Sequence, residues 1–247
     1  MDSLFSEAEL PRASREIYPG CVHVPGWLST QQQRYLIGQF FRWGKPGAGI
    51  PPHSPEIFGK KMSVCMTTLG WHWSDYQYRP VAEEFDGAHP LEVPGWLQRL
   101  GRRALVDAFS PHNFSLHDVP SWPGAESQIV EWANSYTPDV ALVNYYAPES
   151  KMGMHQDKDE RSSAPVVSIS LGNTGIFRAG NTENKNLPYE DVLLASGDLV
   201  VFGGPSRFMF HGVPKILLGT SPSALSFPQG RINITLRETG LERSFSH

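Results

Sequence analysis

Cysteine is scarce in this sequence of 247 residues, in which Cys21 and Cys65 are the only two. Two isolated cysteines do not make a disulfide framework, and their spacing does not fit a CxxC metal site. The sequence also lacks any run of about 18 apolar residues, and it does not begin with a basic segment followed by an apolar one. These absences predict a protein without a membrane partner, and we expect it to be cytoplasmic.

Charge is also limited, since 19% of the residues are charged and the formal net charge is −4. This balance argues against a protein that coats nucleic acid through bulk positive charge, but it leaves room for a local basic patch. Hydrophobic residues make up 40% of the chain, which excludes wholesale disorder. The 23 glycines and 21 prolines favour many short elements over long helices.

Helical patterns are confined to the part of the chain before Asp139. A Ser/Thr cap, apolar residues at helical spacing and a glycine stop predict a helix from about 30 to 43. A second amphipathic helix is expected to start near Pro94, and "AESQIVEWANSY" predicts a short third one. "KMSVCMTTLGWHW" predicts a strand that runs into an aromatic-rich loop, and the proline-rich stretch from Ser110 to Gly124 predicts another loop.

From Asp139 onward the pattern changes to short strands separated by turns. "ASGD" within this region predicts a tight hairpin connection. The spacing favours a mainly β fold with flanking helices, built as a sandwich or jelly roll in which the helices cover one sheet. The predicted strand segments are "VALVNYY", "GMHQD", "PVVSISLG", "GIFRAG", "EDVLLASGDLVVFGG", "FMFHGV" and "RINITLR".

Three potential metal ligands lie on these predicted strands. His155 and Asp157 are two residues apart in "GMHQDKDE", so their side chains leave one face of a strand, and His211 follows in "FMFHGV". Two histidines and a carboxylate on one face of an octahedral iron leave three positions open, as in non-haem Fe(II) oxygenases. Each part alone is weak, because His-x-Asp arises by chance and "DKDE" also suits a solvated turn.

The polar residues of "RINITLR" share one face of a predicted strand: Arg231, Asn233, Thr235 and Arg237. One interpretation is an amphipathic strand with this face in water. The other is that helices cover the aliphatic face and the arginines point inward at an anion. Arg231 would suit the far carboxylate of a dicarboxylate keto acid, because arginine binds carboxylates bidentately and keeps its charge when buried. Asn144 and Tyr146 share a face of a second strand and can donate to the same ligand.

Together these motifs resemble the AlkB family of Fe(II)/2-oxoglutarate-dependent alkylation-repair dioxygenases. Four stretches carry the resemblance, in the family's order: "VNYYAPESKMGMHQDKDE", "PVVSISLG", "SGDLVVFGGPSRFMFHG" and "RINITLRETG". The resemblance implies a double-stranded β-helix core over about 139–240 and helices with a nucleotide-recognition lid over about 21–138. With 1–20 as a loosely attached lead-in, we expect residues 1–247 to form a single domain.

The resemblance also assigns roles to the residues already noted. His155, Asp157 and His211 would bind Fe(II), and the contacts of 2-oxoglutarate would be Asn144, Tyr146, Arg231, Asn233 and Arg237. In that family 2-oxoglutarate and O₂ are cosubstrates, and their conversion to succinate and CO₂ is coupled to hydroxylation of an N-alkyl group. The hydroxylated product then releases formaldehyde and the repaired base.

The lid stretch "LGWHWSDYQYRP" supplies aromatic side chains that can stack on a flipped base. By resemblance, Trp71 is expected to stack opposite His155, and Tyr76 to contact phosphate or base. The stretch is shorter than in other family members, so Trp73 or Tyr78 are alternatives for either role. Each of these aromatics could also be an ordinary core residue.

Three further residues are predicted to contact the substrate. Asp159 resembles the family's acidic contact to the exocyclic amino group of a damaged adenine or cytosine. Lys151 is expected to meet a phosphate, although surface lysines are more often merely solvated. Arg207, on the approach to His211, is expected to line the pocket or to support it.

These features predict an oxidative demethylase of bases of the 1-methyladenine and 3-methylcytosine type. Its expected partner is alkylated DNA, as a single strand or as a flipped base in a duplex, with RNA as a further candidate, and we expect a monomer. One alternative is the same Fe(II) and 2-oxoglutarate machinery acting on protein or small molecules, since fold and cofactor do not fix the substrate. Another is a catalytically silent binding module, but such a module would not need an intact triad and both arginines.

Overall fold

The computed structural model of this chain describes residues 12–57, 59–110, 122–227 and 229–242. The helices are α1 Thr30–Trp43, α2 Gly95–Ala108 and α3 Ala125–Ser135. The strands are β1 Arg15–Tyr18, β2 Cys21–Val24, β3 Glu56–Ile57, β4 Lys60–Lys61, β5 Val64–Leu69, β6 His72–Ser74, β7 Gln77–Arg79, β8 Val140–Tyr146, β9 Met152–His155, β10 Val166–Gly172, β11 Thr174–Gly180, β12 Tyr189–Leu194, β13 Leu199–Phe202, β14 His211–Leu217 and β15 Arg231–Arg237.

Two antiparallel sheets face each other. The larger has the order β1-β2-β13-β10-β15-β8-β5, and the smaller has the order β12-β11-β14-β9. Buried residues of both sheets meet in a shared core, which includes Phe177 and Val192 from the small sheet and Val200 and Phe202 from the large one. The predicted mainly β fold of the jelly-roll type is confirmed.

Helices cover the outer face of the large sheet. Leu97 and Leu105 of α2 share one core cluster with Ile234 and Leu236 of β15, and all four side chains are fully buried. Each such side chain stabilises the fold by about 1.5–3 kcal/mol. The aliphatic face of β15 therefore packs against helices, and its polar face must point between the sheets. Arg231 and Arg237 are accordingly buried, as predicted.

The predicted helices are confirmed because their boundary signals are local. Ser29 caps α1, and the side chain of Gln32 reciprocates by accepting from the Ser29 backbone. Pro94 precedes α2, where its fixed φ suits the entry to a helix. Of the stretch predicted as a loop from Ser110 to Gly124, residues 111–121 lie outside the described part. None of the helices in the described ranges is long and apolar enough to cross a bilayer.

The lead-in prediction is wrong for residues 12–20. Residues 15–18 form β1, which pairs with β2 at the edge of the large sheet. Arg12 donates two hydrogen bonds of 2.6 Å to the buried carboxylate of Asp198. The polar composition of this segment concealed a strand and a bidentate ion pair, and residues 1–11 lie outside the described part.

Two connections also differ from prediction. "ASGD" joins β12 of the small sheet to β13 of the large one, so it is a crossing between sheets and not a hairpin. Local turn chemistry is the same in both cases, so the sequence could not distinguish them. The aromatic-rich loop is itself a hairpin of β6 and β7, whose turn residues Asp75 and Tyr76 have φ values of 50° and 59°. Both residues occupy the left-handed region that a type I′ turn requires.

Candidate active site

Two histidines and one carboxylate converge between the sheets. His155 ends β9 and His211 begins β14, and the strand register places them opposite each other. The sequence predicted that Asp157 would share a strand with His155, but Asp157 lies just beyond the end of β9. His155 Nε2 is 3.5 Å from Asp157 Oδ1, and His211 Nε2 is 3.6 Å from Asp157 Oδ2. Their ligand atoms all lie within 4.8 Å of one another, as a shared metal ion requires.

Backbone carbonyls determine which nitrogen each histidine presents. His155 Nδ1 is 2.9 Å from Gly153 O, and His211 Nδ1 is 3.2 Å from Met209 O. Since a carbonyl only accepts, each Nδ1 carries a proton and each Nε2 faces Asp157. Burial opposes the charged form of His155, but the hydrogen bond and the charge of Asp157 raise its pKa. Burial lowers the pKa of His211 to about 4, so this imidazole is neutral and ready to bind a metal at pH 7.

Arg237 holds the carboxylate of this triad. Its Nη2 lies 2.7 Å from Asp157 Oδ2, and its Nη1 donates to Glu160 Oε1 at 2.8 Å. Burial alone would raise the pKa of Asp157, but Arg237 and the two histidines lower it well below its usual range. Among the described residues, no contact of Asp157 Oδ2 has hydrogen-bond geometry, so this buried oxygen keeps lone pairs for a cation.

Glu160 is a second buried carboxylate, and the sequence reasoning missed it. It accepts hydrogen bonds from Tyr78, from Arg237 and, at 2.9 Å, from Arg207. The run "DKDE" also suits a solvated turn, and no pattern within it distinguishes a carboxylate that is buried beside distant arginines from one that is exposed to water.

Arg207 was expected either to line the pocket or to support it, and its buried contacts fit the supporting role. Its side chain is 2% exposed and donates to the carbonyl oxygens of Asp157 at 2.6 Å and of Ala164 at 2.7 Å, as well as to Glu160. It therefore lies beneath the segment from Asp157 to Glu160 and fixes the backbone that carries the triad carboxylate.

Arg231 lies deeper between the sheets and is 1% exposed. Its Nη2 donates to Ser170 Oγ at 2.8 Å, and its guanidinium carbon is 5.1 Å from the ring centroid of Tyr146. Its Nε and Nη1 have no acceptor among the described residues. Two free donors on one buried guanidinium are the arrangement that a carboxylate satisfies bidentately.

A narrow cavity connects Arg231 with the triad. The register of β8 with β15 sets Tyr146 opposite Arg231 and Asn144 opposite Asn233. Asn233 donates to Ser168 Oγ at 2.8 Å. All the residues predicted to contact 2-oxoglutarate line this cavity together with the triad: Asn144, Tyr146, Arg231, Asn233, Arg237, His155, Asp157 and His211.

A wider cavity of about 320 Å³ opens over the other side of His155 and Asp157. Trp73, Tyr76, Asp159 and Lys151 line it. Trp73 Nε1 donates to Asp159 Oδ2 at 2.8 Å, and the ring of Tyr76 stands edge-on to that of Trp73 at 5.8 Å. Burial raises the pKa of Asp159. The cavity thus combines an aromatic wall with one half-buried carboxylate.

Trp71 does not line this cavity, so its predicted stacking role requires correction. Its side chain is 4% exposed, and its Nε1 donates to Asp139 Oδ2 at 3.1 Å. Trp73 occupies the cavity wall instead, while Tyr78 lies opposite it on β7 and donates to Glu160. The sequence could not show which tryptophan lines the cavity, because it does not predict the β6–β7 hairpin that positions Trp73.

Comparison with known proteins identifies the family. Residues 20–237 match the 2OG-Fe(II) oxygenase superfamily. The "Alpha-ketoglutarate-dependent dioxygenase AlkB homolog" of Caulobacter vibrioides is 37% identical over 90% of this chain and 88% of its own length. The chain belongs to the AlkB family. As a member, it is a dioxygenase that depends on Fe(II) and 2-oxoglutarate and uses O₂.

Other members extend the comparison. The "DNA N(6)-methyladenine demethylase ALKBH1C" of Arabidopsis thaliana is 30% identical over 90% of this chain, which spans 49% of that protein's length. A solved structure described as "The structure of OsALKBH1" matches with a TM-score of 0.75 and 31% identity, and it covers 91% of this chain and 100% of the other. The AlkB-family fold therefore extends over nearly all of the chain.

The residues of this AlkB-family chain fit both groups that the family requires. Two imidazole Nε2 atoms and an ionised carboxylate suit a borderline cation such as Fe(II). The free Nε and Nη1 donors of Arg231 suit the far carboxylate of 2-oxoglutarate.

Loss of Glu160 should destabilise the protein. We expect Glu160→Ala to lower the free energy of unfolding by about 3–5 kcal/mol, because it leaves Arg207 and Arg237 buried beside an unfilled carboxylate position. Urea unfolding followed by circular dichroism measures this change. Glu149→Ala is the matched control, since Glu149 is exposed and its loss should cost less than about 0.5 kcal/mol. Equal small effects in both variants would contradict the network.

Proposed function

We propose that this chain oxidatively removes alkyl groups from nitrogen atoms of nucleic-acid bases. The observation that carries the proposal is the wider cavity, which combines Trp73, Tyr76 and Asp159 above the His155–Asp157 pair. Its volume of about 320 Å³ is at the lower end of the range for small-molecule pockets, which is about 300–1,000 Å³. A single base inserted from a flipped nucleotide suits this size and lining.

We assign the metal and cosubstrate roles to the residues that converge between the sheets. His155, Asp157 and His211 would bind Fe(II), which supplies the oxidising chemistry when O₂ and 2-oxoglutarate are bound. Arg231 would pair with the far carboxylate of 2-oxoglutarate, with Asn144, Tyr146 and Asn233 along the walls of the narrow cavity. Arg237 would keep Asp157 ionised and oriented.

We assign substrate recognition to the hairpin of β6 and β7 together with Asp159. Stacking on Trp73 and Tyr76 offsets the stacking that the flipped base loses. Asp159, held by Trp73, can accept from an exocyclic amino group or face a cationic alkylated ring. Lys151 at the mouth can meet a phosphate. Every group in this scheme comes from one chain, which supports a monomer as the active unit, and a cytoplasmic location stays a prediction.

The substrate range decides between this proposal and an oxygenase of proteins or small molecules. The purified protein, supplied with Fe(II), 2-oxoglutarate and O₂, is incubated with DNA and RNA oligonucleotides carrying 1-methyladenine, 3-methylcytosine or N6-methyladenine. Base mass and formaldehyde are followed by mass spectrometry and fluorimetry. We expect loss of one methyl mass in at least one oligonucleotide, and no turnover by His155→Ala. Unchanged oligonucleotides, with succinate formed on another substrate class, would overturn the proposal.

Arg231→Lys should specifically weaken the binding of 2-oxoglutarate. A lysine keeps the charge but cannot form the bidentate pair, so we expect the KM for 2-oxoglutarate to rise about 10- to 100-fold. Steady-state succinate formation at varied 2-oxoglutarate measures the change. Arg178→Lys is the matched control, because Arg178 pairs with Asp191 at the edge of the small sheet. An unchanged KM in Arg231→Lys would remove Arg231 from the cosubstrate site.

Trp73→Ala should impair the use of the nucleic-acid substrate more than the binding of 2-oxoglutarate. Loss of one stacking partner, worth about 1–3 kcal/mol, predicts a fall in kcat/KM for the methylated oligonucleotide of about 5- to 150-fold. The KM for 2-oxoglutarate should stay the same. Trp71→Phe serves as the control and should preserve kcat/KM, because Trp71 points into the core. The reverse ranking of the two variants would restore Trp71 as the stacking residue.

A further inference from the structure

A second group of potential metal ligands lies outside the iron site. One ligand atom each from His53, His72 and Glu84 lie within 4.8 Å of one another. They come from three separate segments. His53 forms an isolated bridge with Met66 of β5, His72 begins β6, and Glu84 lies in the short 3-10 turn Glu83–Phe85. The tertiary fold, and not a local motif, brings them together.

Hydrogen bonds indicate which nitrogen each imidazole presents to the cluster. His53 Nδ1 is 2.9 Å from the carbonyl oxygen of Pro51, so Nδ1 carries the proton and Nε2 keeps its lone pair. His72 Nε2 is 2.7 Å from Glu84 Oε1, so this nitrogen faces the carboxylate, and a cation bound there would replace the hydrogen between the two atoms. The side chain of His72 is 0% exposed, so the cluster includes one imidazole from the protein interior.

The protonation states favour a cation over a second proton. Burial lowers the pKa of His53, and the neighbouring His72 lowers it further, so His53 is neutral near pH 7. Burial raises the pKa of Glu84, but several hydrogen bonds and the nearby His72 together lower it, so the carboxylate is ionised. Two imidazoles beside one carboxylate match the preference of borderline divalent ions. The ring of Phe85 lies 4.8 Å from that of His53 and closes one side.

We propose that His53, His72 and Glu84 form a structural site for a divalent metal ion such as Zn(II). His53 and His72 provide imidazole nitrogens, and Glu84 provides the negative charge beside them. Glu84 has a side chain that is 40% exposed, so water can complete the coordination from that side. His53 already donates its other N–H to a fixed oxygen, the Pro51 carbonyl, as metal-binding histidines usually do.

The site would anchor the hairpin that walls the substrate cavity. His72 and Trp73 are adjacent on β6, so their side chains leave opposite faces, with Trp73 toward the cavity and His72 toward the cluster. His53 is bridged to Met66, which also lines the cavity. A metal shared by His53 and His72 therefore ties the hairpin to the edge of the large sheet. Metal binding itself does not depend on the proposed function.

Zinc binding is measured with the iron ligands disabled. The full chain carrying His155→Ala and His211→Ala, without an affinity tag, is equilibrated with Zn(II), dialysed and analysed by inductively coupled plasma mass spectrometry. We expect one equivalent of zinc per chain. Adding His53→Ala to this parent should abolish zinc binding. Adding His89→Ala instead, which changes an exposed histidine nearby, should leave zinc binding unchanged. No zinc in the parent variant, or zinc that persists in His53→Ala, overturns the proposal.

A milder variant guards against loss of folding. Glu84→Gln removes the charge at a partly exposed position, and we expect the affinity for Zn(II) to fall about 10- to 100-fold while the circular dichroism spectrum is unchanged. Competition with a chromophoric chelator measures the affinity. An unchanged affinity in this folded variant removes Glu84 from the site and overturns the proposed ligand set.

Discussion

The ion pair of Arg237 with Asp157 is the contact on which the rest of the site depends. An ionised carboxylate that is 3% exposed is stable only beside a positive charge, and Arg237 provides one from the end of β15. The same guanidinium reaches Glu160, which in turn holds Arg207 and Tyr78. The candidate metal ligands, the floor of the wider cavity and the β6–β7 hairpin are thus joined by one buried network of charges.

The strand period accounts for what the sequence predicted well. Alternation along "RINITLR" placed both arginines on one face, and the helices that precede the strand-rich region covered the other, so the inward direction of Arg231 and Arg237 followed. The triad was predictable for a related reason, because His155, Asp157 and His211 lie on or beside strands whose residue types suit iron. These inferences depend on local periodicity and on chemistry that the sequence states directly.

Contacts between distant segments account for the features that could not be predicted from the sequence. Trp71 and Trp73 are chemically alike, and only the packed structure shows that Trp73 lines the cavity. Arg207 and Glu160 are both charged residues in polar stretches, and only the packed structure shows that each neutralises the other. The grouping of His53 with His72 and Glu84 likewise depends on a bridge to β5 and a 3-10 turn, neither of which leaves a pattern in the sequence.

In the turn of the β6–β7 hairpin, Tyr76 combines a strained backbone conformation with a half-exposed aromatic ring. Tyr76 has a φ of 59°, a conformation in which bulky side chains are strained by about 1–3 kcal/mol. Glycine would relieve that strain, but it would remove the half-exposed ring from the mouth of the cavity. At this turn the protein therefore gives up backbone free energy and gains a half-exposed aromatic ring at the mouth of the cavity.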